Sequence, residues 1–178
     1  MVVYFYCDFQ KERSTSSTEL MRSVLSQLFR HFPECGVDPG DLPNKILEQK
    51  SEGTLSLNDL GKLCDLVSRA AHCFSRYEPI IVIDALDECA DIETLLRALV
   101  RLNQGDVRSL ATSRPDQIIM DHFSGLSSLS LEDVAAELAS DIALHVRLEV
   151  DSHDRLRFAN AGMKEEICAK LSEKSDGR

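Results

Sequence analysis

Apolar residues recur along this chain in two alternating rhythms. Val2-Val3-Tyr4-Phe5-Tyr6-Cys7-Asp8-Phe9 is a dense run of β-formers and predicts a strand over 2–9. Leu20, Met21, Val24, Leu25, Leu28 and Phe29 then follow at spacings of three and four, which predicts an amphipathic helix to about His31. Ser16 ahead of it, with Glu19 three residues on, has the form of a capping box. Pro33, Gly36, Pro39, Gly40 and Pro43 interrupt the chain before a short helix over about 42–49. Leu57, Leu60, Leu63, Cys64, Val67, Ala70, Ala71 and Phe74 mark a long helix over about 57–75. A strand over 80–84 follows, then a helix through Ile92, Leu95, Leu96, Leu99 and Leu102 that stops at 103–106.

Further along, 107–112 reads as a short strand and 117–123 as a short helix. Leu126 to Leu131 intersperses leucines with serines and predicts a last short strand. Helices are expected over about 133–149, with Val134, Leu138, Ile142 and Val146 in line, and over about 161–173. Strands alternating with helices predict an α/β fold built on a parallel sheet, in three layers. There is no internal repeat, no low-complexity tract and no obvious linker, so 1–178 reads as one domain.

Ile80-Ile81-Val82-Ile83-Asp84-Ala85-Leu86-Asp87-Glu88 changes the picture from fold to chemistry. The apolar run suits a strand buried on both faces. Its acids fall at the carboxyl end, where open α/β sheets bind ligands. A carboxylate at that place commonly holds magnesium beside a nucleotide's phosphates, which makes Asp84 the candidate metal ligand. Asp87 and Glu88 are candidate catalytic acids that polarise an attacking water. Thr112, Ser113 and Arg114 close the next strand, and an Arg there stabilises phosphate charge if the two strands are adjacent. The plain alternatives are helix-capping acids at 84–88 and an Arg114 that bridges surface carboxylates. No G-x-x-x-x-G-K-[ST] loop occurs in the chain.

Composition narrows the partners. A formal net charge of −10 argues against nucleic acid and anionic membrane, which both require clustered Lys and Arg. No apolar run approaches the ~18 residues of a membrane span. The six cysteines show no C-x-x-C pair and read as scattered reduced thiols of a cytoplasmic protein. The five histidines lack metal-site spacing.

Three motifs in order resemble the NACHT class of STAND-type signalling NTPases, in the nephrocystin-like form abundant in fungal NLR-like proteins. Val3-Tyr4-Phe5-Tyr6-Cys7-Asp8-Phe9 is similar to the family's second strand, Ile81 to Cys89 to its extended Walker B, and Leu110-Ala111-Thr112-Ser113-Arg114-Pro115 to its sensor 1 strand. Leu171 to Gly177 resembles the segment with which the core module closes. The resemblance implies a P-loop NTPase sheet, magnesium held through water by Asp84, a hydrolytic water oriented by Asp87 and Glu88, and ATP or GTP sensed by Arg114 with Thr112 beside it. The family's first strand and P-loop lie upstream of the segment at Val2, so the expectation is a fragment that does not hydrolyse nucleotide alone. A rival expectation is an interaction module that pairs with an intact NLR-like relative. A magnesium-dependent phosphotransferase fits less well, because that class places its two acids two residues apart and Asp84 and Asp87 are three apart.

Overall fold

A computed structural model of the chain describes residues 1–8, 16–74, 76, 78–105 and 107–174. They fall into two compact units, Met1–Ser124 and Gly125–Arg178. Phe9 of the first expected strand, the loop at 11–15, the helix end at Ser75, Asp106 and the closing stretch 175–177 lie outside the described residues.

The first unit is a mixed α/β body with a small, all-parallel sheet. Its strands β1 (Val2–Tyr6), β2 (Ile80–Asp84) and β3 (Arg108–Ala111) lie in that order, with Val3 opposite Ile81 and Ile81 opposite Ser109. Between them run α1 (Ser17–Glu34), α2 (Leu42–Ser51), α3 (Leu60–His72) and α4 (Ile92–Gln104), and α5 (Gln117–His122) follows β3. The alternation of strand and helix thus produces the expected parallel pairing, since each crossover returns the chain in the same direction.

The register places Val3, Ile81 and Ile83 on one face, and all three are buried. The stripes of α1, α3 and α4 cover that face: Leu20, Met21, Val24, Leu28, Leu63, Val67, Ala70, Leu95, Leu96, Leu99 and Leu102 join one core. Phe32 of α1 stacks on Phe74 at 4.8 Å between ring centres. The opposite face carries Val2, Tyr4, Tyr6 and Leu110, all exposed. β2 is therefore not buried on both faces as its unbroken apolar run predicts. Ile80 and Val82 face the open side and are only half-buried. The expected third layer is not formed by the described residues of this unit.

Local chemistry explains the element ends. Past α1 the chain turns in a Schellman motif: the Gly36 N–H bonds Pro33 O (3.2 Å) and the Val37 N–H bonds Phe32 O (2.9 Å), with Gly36 at φ +62°. Asp59 caps α3 by accepting the Lys62 N–H at 3.1 Å. The capping box expected at Ser16 does not form. The Ser16 side chain makes no cap bond, and Glu19 pairs with Arg22 instead. Asp91, from the loop ahead of α4, takes over: its Oδ1 accepts the Ser17 N–H at 2.8 Å and its Oδ2 accepts the Ser17 hydroxyl. The outer edge of β1 is also closed by a side chain. The Gln27 amide accepts the Tyr4 N–H (3.0 Å) and donates to Tyr4 O (2.7 Å), completing the pairing that a fourth strand would make.

The second unit contains α6 (Ala135–Ser152) and α7 (Ala161–Lys174), which pack on each other. Val134, Leu138, Ile142 and Val146 form the predicted stripe, half-buried, and end on buried Val150. Lys164 on α7 reaches Asp151 on α6 at 3.1 Å. The strand expected over 126–131 is absent. That stretch is irregular, Leu129 is 77% exposed, and Ser130 starts a 3₁₀ turn (Leu131–Val134) by accepting the Glu132 N–H. Its leucines have neither a strand to pair with nor a core to face, and a two-residue rhythm makes a strand only where it has both.

Candidate functional site

The carboxyl ends of β2 and β3 are stitched together beyond the sheet proper. The Thr112 N–H donates to Ile83 O (2.9 Å), and the Leu86 N–H donates to Thr112 O (2.9 Å). Asp84, the last residue of β2, therefore lies beside Thr112, as adjacency of the two strands requires. Ala85 follows in the left-handed region at φ 55°, ψ 51°, the one non-glycine residue among those described with positive φ. An alanine there is strained by roughly 1–2 kcal/mol. The kink turns the chain off the strand into a 3₁₀ turn (Leu86–Glu88) anchored by fully buried Leu86. This puts Asp87 and Glu88 over the end of the sheet.

All five residues singled out from sequence come together there. Asp84, Asp87, Glu88, Thr112 and Arg114, with Ala85 and Ser113, line an open recess of about 220 Å³. The Thr112 hydroxyl donates to Asp84 Oδ1 and accepts the Ala85 N–H at 3.2 Å. Asp87 is held on both oxygens: Oδ1 accepts the Arg114 N–H (3.0 Å) and the Ser113 hydroxyl (3.3 Å), and Oδ2 accepts Arg114 Nε (2.6 Å). Arg114 Nη2 also reaches Glu88 Oε1 at 3.4 Å. The Arg114 side chain is three-quarters exposed, whereas that of Asp87 is only 12% exposed. Burial raises the Asp87 carboxyl, but the N–H and guanidinium of Arg114 outweigh it and hold the group below its ordinary range. Arg114 thus bridges two carboxylates, the plainer of its two expected roles. Ser113 lines the recess as well, a place that the sequence pattern does not assign it. Its contribution depends on the turn at 113–114 folding back over Asp87, which no local pattern announces.

A second cluster lies next to the first. Cys7 directly follows β1, and its N–H bonds Asp84 O at 3.0 Å. Cys89 ends the acidic turn, and its Sγ donates to Asp91 Oδ1 at 3.3 Å. Both cysteines are buried. Asp91 is held below its ordinary range, because the Ser17 hydroxyl and N–H outweigh its burial. All six cysteines are free thiols. A larger open recess of about 540 Å³ between α2 and α3, with Lys45, Arg69 and His72 on its wall, contains none of the expected site residues.

A single carboxylate suits a magnesium ion that keeps its waters. Asp84 fits that role, being half-buried at a strand end. Among the described residues no group of three or more His, Cys, Asp or Glu side chains converges to enclose a metal directly.

The family model described as "Nephrocystin 3, N-terminal" matches residues 1–114. The chain belongs to the nephrocystin 3 N-terminal family. The match lies inside the first unit and ends at Arg114, so every residue of the recess is within the family region. No curated protein and no solved structure matches the chain. Among the described residues, no helix is long and apolar enough to cross a membrane.

Proposed function

We propose that this member of the nephrocystin 3 N-terminal family is part of a NACHT/STAND-type signal-transduction NTPase of the kind found in fungal NLR-like proteins. Its parallel sheet is then of the P-loop NTPase type, and its place is the cytoplasm, where free thiols persist. One observation carries the reading: Asp84, Asp87, Thr112 and Arg114 converge at the carboxyl ends of two adjacent parallel strands. In this reading Asp84 is the Walker B acid that holds magnesium through its waters. Magnesium supplies neutralisation of phosphate charge when bound. Thr112 fixes the Asp84 carboxylate by its hydroxyl. Asp87, with Glu88, orients the attacking water.

The ion pair sets the order of events. With both oxygens held by Arg114, Asp87 is a poor base. A phosphate that draws the exposed guanidinium away releases Oδ2, and the Asp87 carboxyl rises towards its ordinary value. Arg114 then binds phosphate at the moment Asp87 becomes able to take a proton.

The chain contains no G-x-x-x-x-G-K-[ST] loop, so its own residues do not cradle phosphates. Alone it does not hydrolyse ATP or GTP. The test is a fusion that places the strand, Gly-rich loop and helix of an intact family member ahead of Met1. Magnesium-dependent binding of a fluorescent ATP analogue is expected in the fusion, weakened at least tenfold by Asp84→Ala. A fusion that unfolds cooperatively yet binds no nucleotide overturns the proposal. The unfused chain should show no Mg-ATP shift in Tm, where a site filled at ~100 times its Kd would add about 2.7 kcal/mol.

A second reading is favoured by the open sheet face of Val2, Tyr4, Tyr6 and Leu110. Exposed apolar surface of this kind marks an interaction site, here for an intact NLR-like relative. Co-purification with such a relative, lost in Tyr4→Lys, is the expected result.

A further inference from the structure

The parallel register sorts the side chains of the sheet onto two faces. On the face away from the helices they stand in three rows. Val2, Ile80 and Arg108 make the row at the amino end, and Tyr4, Val82 and Leu110 the middle one. Tyr6, Asp84 and, one residue past β3, Thr112 make the row at the carboxyl end. The middle is uncovered, with Tyr4 54% and Leu110 58% exposed. The Tyr4 and Tyr6 rings meet edge to face at 5.6 Å between centres, which lengthens the apolar strip along β1. The charges lie at opposite ends of the face. The Arg108 guanidinium, paired with Glu78 and more than half exposed, stands at the amino end. The Asp84 carboxylate stands at the other, next to Asp87 and Glu88.

An apolar middle between opposite charges is complementary to itself after a half-turn that runs the two sets of strands antiparallel. Tyr4, Val82 and Leu110 then each meet their own counterpart in a second copy. The Arg108 end of one copy lies over the Asp84 end of the other. Packed sheets stand about 10 Å apart, a gap bridged by an arginine and an aspartate reaching from opposite sides. On the β1 side the edge offers no competing route, because Gln27 occupies the N–H and C=O of Tyr4. We propose that the open sheet face docks a second copy of this chain, closing a two-fold dimer in which Arg108 of each copy pairs with Asp84 of the other. The contact uses the same patch twice, so it stops at two and does not grow into a filament. Strands of 5, 5 and 4 residues make a small interface, so the dimer dissociates with a Kd on the order of 10–100 μM. The inference rests on the second reading above for the face being an interaction surface, and it commits to the chain itself as the occupant.

Sedimentation velocity of the full chain from about 1 to 300 μM brackets that Kd and should show the mass climbing from one copy to two. Tyr4→Lys and Leu110→Asp, both at exposed positions, should weaken the dimer at least about tenfold while each variant still unfolds cooperatively. The charge pair is tested by exchange. Arg108→Glu and Asp84→Arg each set like charges against one another at both contacts, and each alone should be monomeric. Mixed in equal amounts, the two variants should pair, because every contact then joins opposite charges; a role within one chain predicts no such rescue. The proposal is overturned by a parent that stays monomeric throughout, by a dimer indifferent to Tyr4→Lys, or by folded charge variants that remain monomeric when mixed. If Asp84→Arg does not fold, Tyr4→Lys and Leu110→Asp still decide. A monomeric parent whose capture of an intact relative is lost in Tyr4→Lys overturns this inference and leaves the second reading standing. A dimer that captures no relative does the reverse.

Discussion

The Thr112 hydroxyl stands between Asp84 and the strained residue that follows it: it donates to Asp84 Oδ1 and accepts the Ala85 N–H at 3.2 Å. One side chain from the end of β3 thereby fixes both the candidate metal ligand and the left-handed kink that delivers Asp87. Thr112→Val keeps the shape and deletes the hydroxyl. It should lower stability by about 1–2 kcal/mol, because a carboxylate and a backbone N–H both lose a partner. Thr112→Ser should restore most of the loss. Urea unfolding of the two variants checks this, and a loss in Thr112→Ser as large as that in Thr112→Val would show that the hydroxyl alone does not account for the effect.

Arg114 and Asp87 should respond unequally to truncation. Arg114 is largely solvated, so Arg114→Ala should remove only about 0.2–1 kcal/mol. Asp87→Ala should cost more, since it removes a largely buried carboxylate and leaves the Arg114 N–H without its acceptor. In Arg114→Ala the Asp87 carboxyl should titrate at higher pH than in the parent, as followed by carboxyl NMR, because the guanidinium is gone and only the backbone N–H still holds it down.

Asp91 ties acid sensitivity to the start of α1. In the folded chain the Asp87 and Asp91 carboxyls both titrate below their ordinary range. As pH falls, the unfolded chain takes up these protons first. The stability they contribute is complete above the ordinary Asp value near about 3.9 and is lost as pH drops through their folded values. Asp91→Asn should therefore flatten the acid limb of a stability–pH curve relative to the parent. At neutral pH, Asp91→Ala should cost about 1–3 kcal/mol, because the 1%-exposed Ser17 hydroxyl loses its acceptor. The double variant with Ser17→Ala should cost less than the two single losses added together.

These contacts mark how far the sequence is legible. The long helices of the first unit and β1 follow from periodicity, because their rhythms report faces that are in fact buried: Leu63, Val67 and Ala70 on α3, Val3 on β1. Helix boundaries shift where a turn intervenes, as at Leu57, which precedes α3 instead of opening it. The cap of α1 is not legible locally, because Ser16 and Glu19 satisfy a local pattern while the acceptor is Asp91, 74 residues on and past β2. Site membership was legible, since acids at one strand end and an Arg at the next meet whenever the strands are neighbours. The Arg114–Asp87 pairing was not, because it depends on the path of the turn at 113–114.

Gln27 guards the β1 edge, and its removal should show as association more than as unfolding. Gln27→Ala exposes the N–H and C=O of Tyr4 to water, which re-satisfies them at a cost of about 1 kcal/mol. The freed edge then offers a strand template next to exposed Tyr4 and Tyr6. Light scattering at fixed temperature should show faster aggregation for Gln27→Ala than for an equally destabilised variant such as Thr112→Val.

The irregular course of 126–131 gives a contrast between two apolar residues that the sequence placed alike in strands. Ile83 is fully buried at the centre of β2, and Ile83→Ala should cost about 2–5 kcal/mol through lost transfer energy and the cavity left behind. Leu129 is 77% exposed and belongs to no strand. Leu129→Asp should change stability by no more than about 0.5 kcal/mol, as a surface substitution away from caps and core does. Had 126–131 paired as a fourth strand, an inward carboxylate at 129 would cost several times that amount. Chemical denaturation of the pair decides between the two placements: similar, large losses would return the segment to a sheet, and a wide gap leaves 126–131 outside any sheet.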